Sequence, residues 1–235
     1  MTTTLPSPGP PSSSDPTGHV RQGRTEETAR LARVLARAFE HDPVSAFILP
    51  NRSRRRRSIE AMYRLAFVPE ALKENECYTT MDHACVALWA PAGKPRPGLG
   101  ENLRLAPTML RILGRHTPRA LRTLHYMESQ LPTEPHAHLL FLGTDPDRQG
   151  QGLGSLLLRH TLSQLDRART PAYLEASTPR SRALYLRQGF VVMNEIRLPG
   201  GGPPVWRMWR DPAARAADTP PTTHPRQRHL ENPCT

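Results

Sequence analysis

The sequence predicts a mixed α/β domain, and three observations carry that prediction. In the last third of the chain, compact apolar strands, a glycine-rich turn and a strongly apolar helix follow in the order strand, turn, helix, strand. Upstream, apolar residues recur at helical spacing in several segments, with a pair of short strands between them. The 235-residue chain also begins and ends in stretches rich in Pro, Thr and Ser, 1–18 and 212–235. Such stretches cannot bury enough apolar surface to offset the entropy of ordering. Both are expected to be disordered, which leaves 19–211 as one domain with a single good core.

Taken in order, 19–24 reads as a short first strand. Thr25 is placed to N-cap a helix whose first turn holds Glu26 and Glu27. Leu31, Val34, Leu35, Ala38 and Phe39 form its apolar stripe, and Asp42-Pro43 ends it. A second helix spans 53–72, with Ile59, Met62, Tyr63, Ala66 and Phe67 on one side. Residues 77–80 and 84–90 read as antiparallel strands turning at Met81-Asp82-His83. After a Pro/Gly-rich loop over 91–100, helices are expected at 103–113 and 118–130. A strand over 138–142 then leads through Thr144-Asp145-Pro146-Asp147 into Gly150 to Gly154 and a helix carrying Leu153, Leu156, Leu157, Leu158, Leu162 and Leu165. A strand at 172–177, a helix at 180–188 and strands at 190–198 and 205–209 complete the reading.

The formal charge is +11, and Lys73 and Lys94 are the only lysines, so arginine carries almost all of it. A positive field attracts an anionic cofactor or a nucleic acid. The densest run, Arg52 and Arg54 to Arg57, falls where a helix begins and reads as a solvated helix face. Three cysteines, Cys77, Cys85 and Cys234, have neither metal-ligand spacing nor a disulfide framework, so no metal is expected. Cys77 and Cys85 could face each other across a hairpin, but a reduced pair is the simpler reading. The N-terminus has no basic and apolar leader pattern, and no apolar run approaches the roughly 18 residues a membrane span needs. The expectation is a cytoplasmic protein with no membrane partner.

The chemistry is concentrated in Gln149-Gly150-Gln151-Gly152-Leu153-Gly154. Backbone N–H groups at a helix start lack intrahelical partners, and the helix dipole makes that end positive. Glycines at every second position remove the Cβ atoms that would keep a diphosphate away, and Arg148 adds a cation. A merely tight strand-to-helix turn needs fewer glycines. A Walker loop needs a lysine followed by Ser or Thr, and none is near. The dinucleotide fingerprint is the sharper rival, because Glu175 ends a strand at about the right distance to bind a ribose. Its spacing is Gly-x-Gly-x-x-Gly, however, and its turn follows the strand at once, whereas Asp145 to Gln149 intervene here. Spacing therefore favours coenzyme A over NAD.

The run from Thr144 to Gly154 resembles the acetyl-CoA motif of the GNAT N-acetyltransferases. Tyr173-Leu174-Glu175-Ala176-Ser177, Ala183-Leu184-Tyr185 and Gly189-Phe190 resemble that superfamily's next strand and helix. From Glu134 to Met208 the chain is similar to its puromycin N-acetyltransferase-like branch, as are Ala38-Phe39-x-x-Asp42-Pro43 and Ala87-Leu88-Trp89-x-Pro91 upstream. The sequence departs from that pattern at Thr144, where a hydrophobic residue is usual, at Thr178, where Asn often starts the helix, and in its poor first strand.

The resemblance implies a central, mostly antiparallel twisted sheet with a splayed strand pair at the acetyl-CoA site and helices on both faces. Acetyl-CoA would be the co-substrate. Backbone groups of Leu142, Gly143 and Thr144 would pair with its pantetheine arm, and Gln149, Gly150, Gln151, Gly152, Leu153, Gly154 and Ser155 would hold its diphosphate. Tyr185 matches the general acid, since a phenol with an ordinary pKa near 10 stays protonated at neutral pH. The base is open among Glu175, which shares a face with Tyr173 and Ser177, His136, Glu128 and a water relay. The acceptor implied is a primary amine of a small molecule, an antibiotic among the candidates. A protein N-terminus or lysine is the alternative, as is a degenerate fold that binds nucleic acid or a partner. The intact glycines and Tyr185 argue against degeneration, nucleic acid is not the expected partner, and a homodimer is allowed. The segments 39–50 and 99–130, with Phe47, Ile48, Leu110 and Tyr126, are expected to shape the acceptor pocket.

Overall fold

Seven strands form one sheet in the order β1-β2-β3-β4-β5-β7-β6, in which only β4 and β5 run parallel. The computed structural model describes residues 20–93 and 99–213; the two tails, apart from Pro212 and Ala213, lie outside the described residues. The strands are β1 (Val20–Gln22), β2 (Cys77–Thr80), β3 (Cys85–Ala90), β4 (Ala137–Thr144), β5 (Ala172–Ala176), β6 (Val191–Arg197) and β7 (Pro204–Arg210). The helices are α1 (Thr28–Phe39), α2 (Pro43–Ile48), α3 (Arg52–Met62), α4 (Val68–Lys73), α5 (Leu99–Leu113), α6 (Thr117–Ser129), α7 (Leu153–Arg167) and α8 (Pro179–Arg187). The mixed α/β, mostly antiparallel architecture expected from the sequence is what forms.

Helices cover both faces. On one, Leu157, Leu158 and Leu162 of α7 and Tyr185 of α8 pack with Ala87, Trp89, Leu139, Leu174 and Met208 of the sheet. On the other, Leu31 and Leu35 of α1, Ile59 of α3 and Val68 of α4 pack with Val86 and Leu88. Side chains of a strand alternate between faces, so β3 feeds Cys85, Ala87 and Trp89 to the first core and Val86 and Leu88 to the second. That explains why β3 reads as a continuous apolar run. A smaller third core joins Ile196, Leu198 and Val205 to Val44, Tyr126 and Met127.

Several local expectations are corrected. Residues Thr25–Glu27 form a 3₁₀ turn and α1 starts at Thr28, so Thr25 caps nothing; its carbonyl accepts from the Thr28 hydroxyl at 2.7 Å. Asp42-Pro43 does not simply end α1, which stops at Phe39. Asp42 instead caps a further helix, α2, accepting from Val44 N at 2.9 Å and Ser45 N at 3.1 Å, with Pro43 suited to the first helical position. The expected long helix is α3 and α4 joined by a π turn at Tyr63–Phe67. That wide turn brings Tyr63 and Phe67 against Phe141 of β4, each with ring centroids 4.9 Å away.

Nor is the arginine run wholly a solvated face. Arg55 is buried and donates to the carbonyls of Leu49, Glu40 and Pro50, tying the α2–α3 corner together. Cys77 pairs in register with Leu88, not Cys85, and both thiols are free and buried. Among the described residues no helix is long and apolar enough to cross a membrane.

Candidate active site

The site begins with an irregularity in β4. Leu88 pairs with Phe141 and Trp89 with Leu139, so Leu140 is an extra residue, a β-bulge. The bulge resets the alternation. Before it, Ala137 and Leu139 face the α7 core; after it, Phe141 packs on the α1 side and Leu142 on the α7 side. Gly143 lies where a Cβ would come 2.9 Å from the Ala38 Cβ, so only glycine permits this approach of α1 to β4.

β4 and β5 pair only from Ala137–Ala172 to Leu139–Leu174. Beyond that point β5 stays with β7 as far as Ala176, while β4 stays with β3 as far as Thr144. The two parallel strands therefore diverge, and a wedge opens between 140–144 on one side and Glu175 and Ala176 on the other.

At the wedge's open end the chain turns through Pro146–Arg148 into the glycine loop. Gly150 and Gly152 have φ of 82° and 77°, a left-handed backbone that favours glycine, and a Cβ on either would meet nothing within 4 Å. Gly152 starts α7 with no side chain to cap it, and its carbonyl accepts from Leu156 N at 3.0 Å. The N–H groups of Leu153, Gly154 and Ser155 are left as the first-turn donors beside open space. The fit to a diphosphate is good. Gly154 differs from the expectation: a Cβ there would sit at 3.5 Å or more from its neighbours, an ordinary contact, so neither strain nor space demands glycine.

Arg148 is not a free cation for the loop. It pairs with Asp82 at 2.9 Å and donates to Gln151 Oε1 at 2.9 Å, pinning the loop to the β2–β3 turn. Gln149 is also structural: its amide donates to the Thr144 carbonyl and accepts from Arg180 at 2.9 Å, linking β4 to α8 across the wedge. Arg180, passed over in the sequence, is the cation that α8 sets beside the loop. Thr178 caps α8 through a reciprocal pair with Ser181, doing the work of the Asn more usual there.

Tyr185 lies in the buried core between α8 and the sheet, its ring tilted against Phe190. Burial, and then the nearby Cys85 and Asp42, push its phenol well above the ordinary value, so it remains a proton donor. Cys85, whose thiol burial pushes up to about 11, lies 3.1 Å from the Thr144 hydroxyl.

Glu175 and His136, both read as candidate bases, bond to different partners. Glu175 Oε2 lies 2.8 Å from His138 Nε2, a partner the sequence reading treated only as a strand residue. His136 Nδ1 lies 2.6 Å from the Glu134 carbonyl, and its ring stacks edgewise on Tyr173 and Trp209, at the paired end of β4 and not at the wedge's open end. The Ser177 hydroxyl, just past β5, donates to Asp42 Oδ2. Asp42 was read as a helix stop; burial raises its carboxyl above the ordinary value. Its Asp-Pro pair could have signalled the cap, though nothing local signals Ser177. The segment 39–50 thus reaches the site through Asp42, whereas Phe47 lies under Arg119 and Tyr126 packs into the third core.

Residues 115–190 match the family model described as Acetyltransferase (GNAT) family. Over that span the chain is similar to the GNAT acetyltransferases. The matched span holds β4, the glycine loop, α7, β5 and α8, which are the elements that build the wedge. Solved acetyltransferase structures share the fold over most of the chain. A Corynebacterium glutamicum protein described as histone acetyltransferase HPA2 and related acetyltransferase superposes with a TM-score of 0.63 at 23% identity, covering 84% of this chain and 98% of its own. Arylalkylamine N-acetyltransferase 2 from Aedes aegypti gives 0.53 at 14% identity, covering 83% and 98%. The Drosophila melanogaster polyamine N-acetyltransferase gives 0.51 at 17%, covering 82% and 98%. At these identities the likeness is one of fold.

Proposed function

We propose that this protein transfers the acetyl group of acetyl-CoA directly to a primary amine of a small molecule bound in the same complex. The observation that carries this reading is the wedge between β4 and β5, open beside the glycine-lined start of α7. The wedge leaves Leu142, Gly143 and Thr144 without a β5 partner; Gln149 takes the Thr144 carbonyl, and the edge at Leu142 and Gly143 would pair with a pantetheine arm. First-turn N–H groups and Arg180 suit the diphosphate. Tyr185, which stays protonated, would give its proton to the departing thiolate.

The acceptor would approach from the opposite sheet face, where Asp42 and Glu175 supply carboxylates that suit an ammonium group. Two structural neighbours are named for arylalkylamine and polyamine acetylation, which is the chemical class the carboxylates favour. The resemblance to the puromycin-modifying branch puts an amino-bearing antibiotic within that class. A peptide amine is the second reading, motivated by the histone acetyltransferase description of another neighbour. The test is thiol release from acetyl-CoA over a panel of arylalkylamines, polyamines, amino-bearing antibiotics and N-terminal or lysine peptides. Release with small amines alone supports the reading, release with peptides alone replaces the acceptor, and release with none overturns it.

A further inference from the structure

On the sheet face turned away from α7, His138 of β4 and Glu175 of β5 meet across the last rungs of pairing before the strands diverge. Their side chains are 13% and 8% exposed, a close and largely desolvated pair. A carboxylate can only accept, so the His138 Nε2 carries the hydrogen and the neutral ring keeps its lone pair on Nδ1. Among the described residues no hydrogen bond is made to Nδ1. Glu175 thus sets the tautomer and would stabilise the imidazolium, as an orienting carboxylate does for a general base.

The other charged or titratable groups facing the pair come from three places. His136, just before β4, has its ring centroid 6.1 Å from that of His138. Tyr173 of β5 lies 5.1 Å from it, and Arg207 of β7 stands opposite Glu175 and donates to the Tyr173 hydroxyl at 3.2 Å. Burial first, and Glu175's charge second, raise the Tyr173 phenol, so it stays neutral beside the pair.

We propose that His138 Nδ1 is the general base that takes a proton from the acceptor's ammonium, with Glu175 as the residue that positions and charges it. This rests on the amine-acetylation reading above. The neutral amine forms its C–N bond to the thioester carbonyl carbon and the C–S bond breaks. The thiolate takes the Tyr185 proton, and the nitrogen's second proton restores that phenol. The proton first held by His138 passes to water. Of the ammonium's three protons one remains on the amide, so the balance closes.

The test compares wild type, His138→Gln and Glu175→Gln by thiol release with two acceptors. One is a primary alkylamine, an ammonium at pH 7; the other is a hydrazide, already neutral there. Without its base the His138→Gln enzyme should lose alkylamine kcat by about 10²–10⁴-fold while keeping most of its hydrazide turnover. Raising the pH toward the amine's own pKa should shrink the loss. Glu175→Gln should show the same split to a smaller extent, with acetyl-CoA KM unchanged. ¹⁵N-histidine NMR of the resting protein should show hydrogen on Nε2 of His138, and Glu175→Ala should change that spectrum. Equal losses with both acceptors, no loss with either, or hydrogen on Nδ1 would overturn the proposal. If His138→Gln does not fold, the split in the near-isosteric Glu175→Gln decides. A wild type that releases no thiol with any amine instead overturns the amine-acetylation reading, and this proposal with it.

Discussion

The two faces of the sheet meet the wedge by different means. On the α7 face the candidate site is backbone: left-handed glycines, the first-turn N–H groups of α7 and the stretch of β4 that has β3 but not β5 as a partner. On the opposite face it is side chains from separated parts of the chain, Asp42 from the α1–α2 corner, His138 from β4, Glu175 from β5, Ser177 just past it and Arg207 from β7. A backbone site must be written locally, as glycines at set spacing before a helix. A side-chain site can be assembled across more than a hundred residues and leaves no local pattern.

The largest expected effect belongs to the side chain that crosses to the backbone half. Tyr185→Phe keeps the ring and its contact with Phe190 while removing the hydroxyl. Its kcat should fall by about 10²–10⁴-fold, with acetyl-CoA KM little changed, because the proton is needed chiefly in the transition state. Steady-state kinetics at near wild-type turnover would move the proton donor elsewhere and leave the α7 face with no catalytic side chain.

Each face is also clipped by an ion pair. On the α7 side Arg210 binds Asp166 in two bonds of 2.7 and 2.9 Å. On the α1 side Arg21 binds Glu27 at 2.6 and 2.8 Å, with His83 at 2.7 Å from the same carboxylate. Arg21 and Arg210 hold these carboxyls below their ordinary values. A depressed value means that the fold prefers the charged form. The stability these pairs contribute is complete above the ordinary carboxylate range of about 4 and is lost as pH falls below it. Arg210→Ala should therefore cost about 1–3 kcal/mol near neutrality in urea unfolding, with the gap to wild type narrowing below about pH 4. A gap independent of pH would mean that Arg210 acts through packing and its bond to the Gln188 carbonyl.

Asp42 has the opposite sign, since burial disfavours its charge. Asn caps helices as well as Asp does, so Asp42→Asn should change stability by only a few tenths of a kcal/mol. Thermal unfolding that shows a large loss would make the charge itself structural on the acceptor face.

Much of the backbone half was legible. The period-two and helical patterns located all seven strands to within a few residues, and the glycine spacing located the start of α7. The exceptions there have physical reasons. Gly154 looks like its neighbours in the sequence, but its helical backbone leaves room for a Cβ. Arg148 and Gln149 read as ligand groups, yet a cation and an amide on a tight turn find protein partners first, Asp82 and the Thr144 carbonyl. On the other face the reading named Glu175 but not His138, because strand alternation places residues on a face without saying which neighbour they bond. Asp42 was seen as punctuation, since Asp-Pro ends one helix and starts another with the same two residues. Arg55 stood in a run of exposed arginines, and only the fold of the α2–α3 corner selects it for burial.

The central claim is that the α7 face holds acetyl-CoA by its backbone, with its diphosphate at Gly150 to Ser155. Calorimetric titration of acetyl-CoA into Gly152→Val and Gly154→Ala tests it most directly. A left-handed, β-branched residue at 152 would carry about 1–2 kcal/mol of strain and put its side chain into the open space the diphosphate needs. The account predicts that a folded Gly152→Val loses acetyl-CoA binding while Gly154→Ala, at an ordinary backbone angle with room for its methyl, binds much as wild type does. Unchanged affinity in folded Gly152→Val would contradict it.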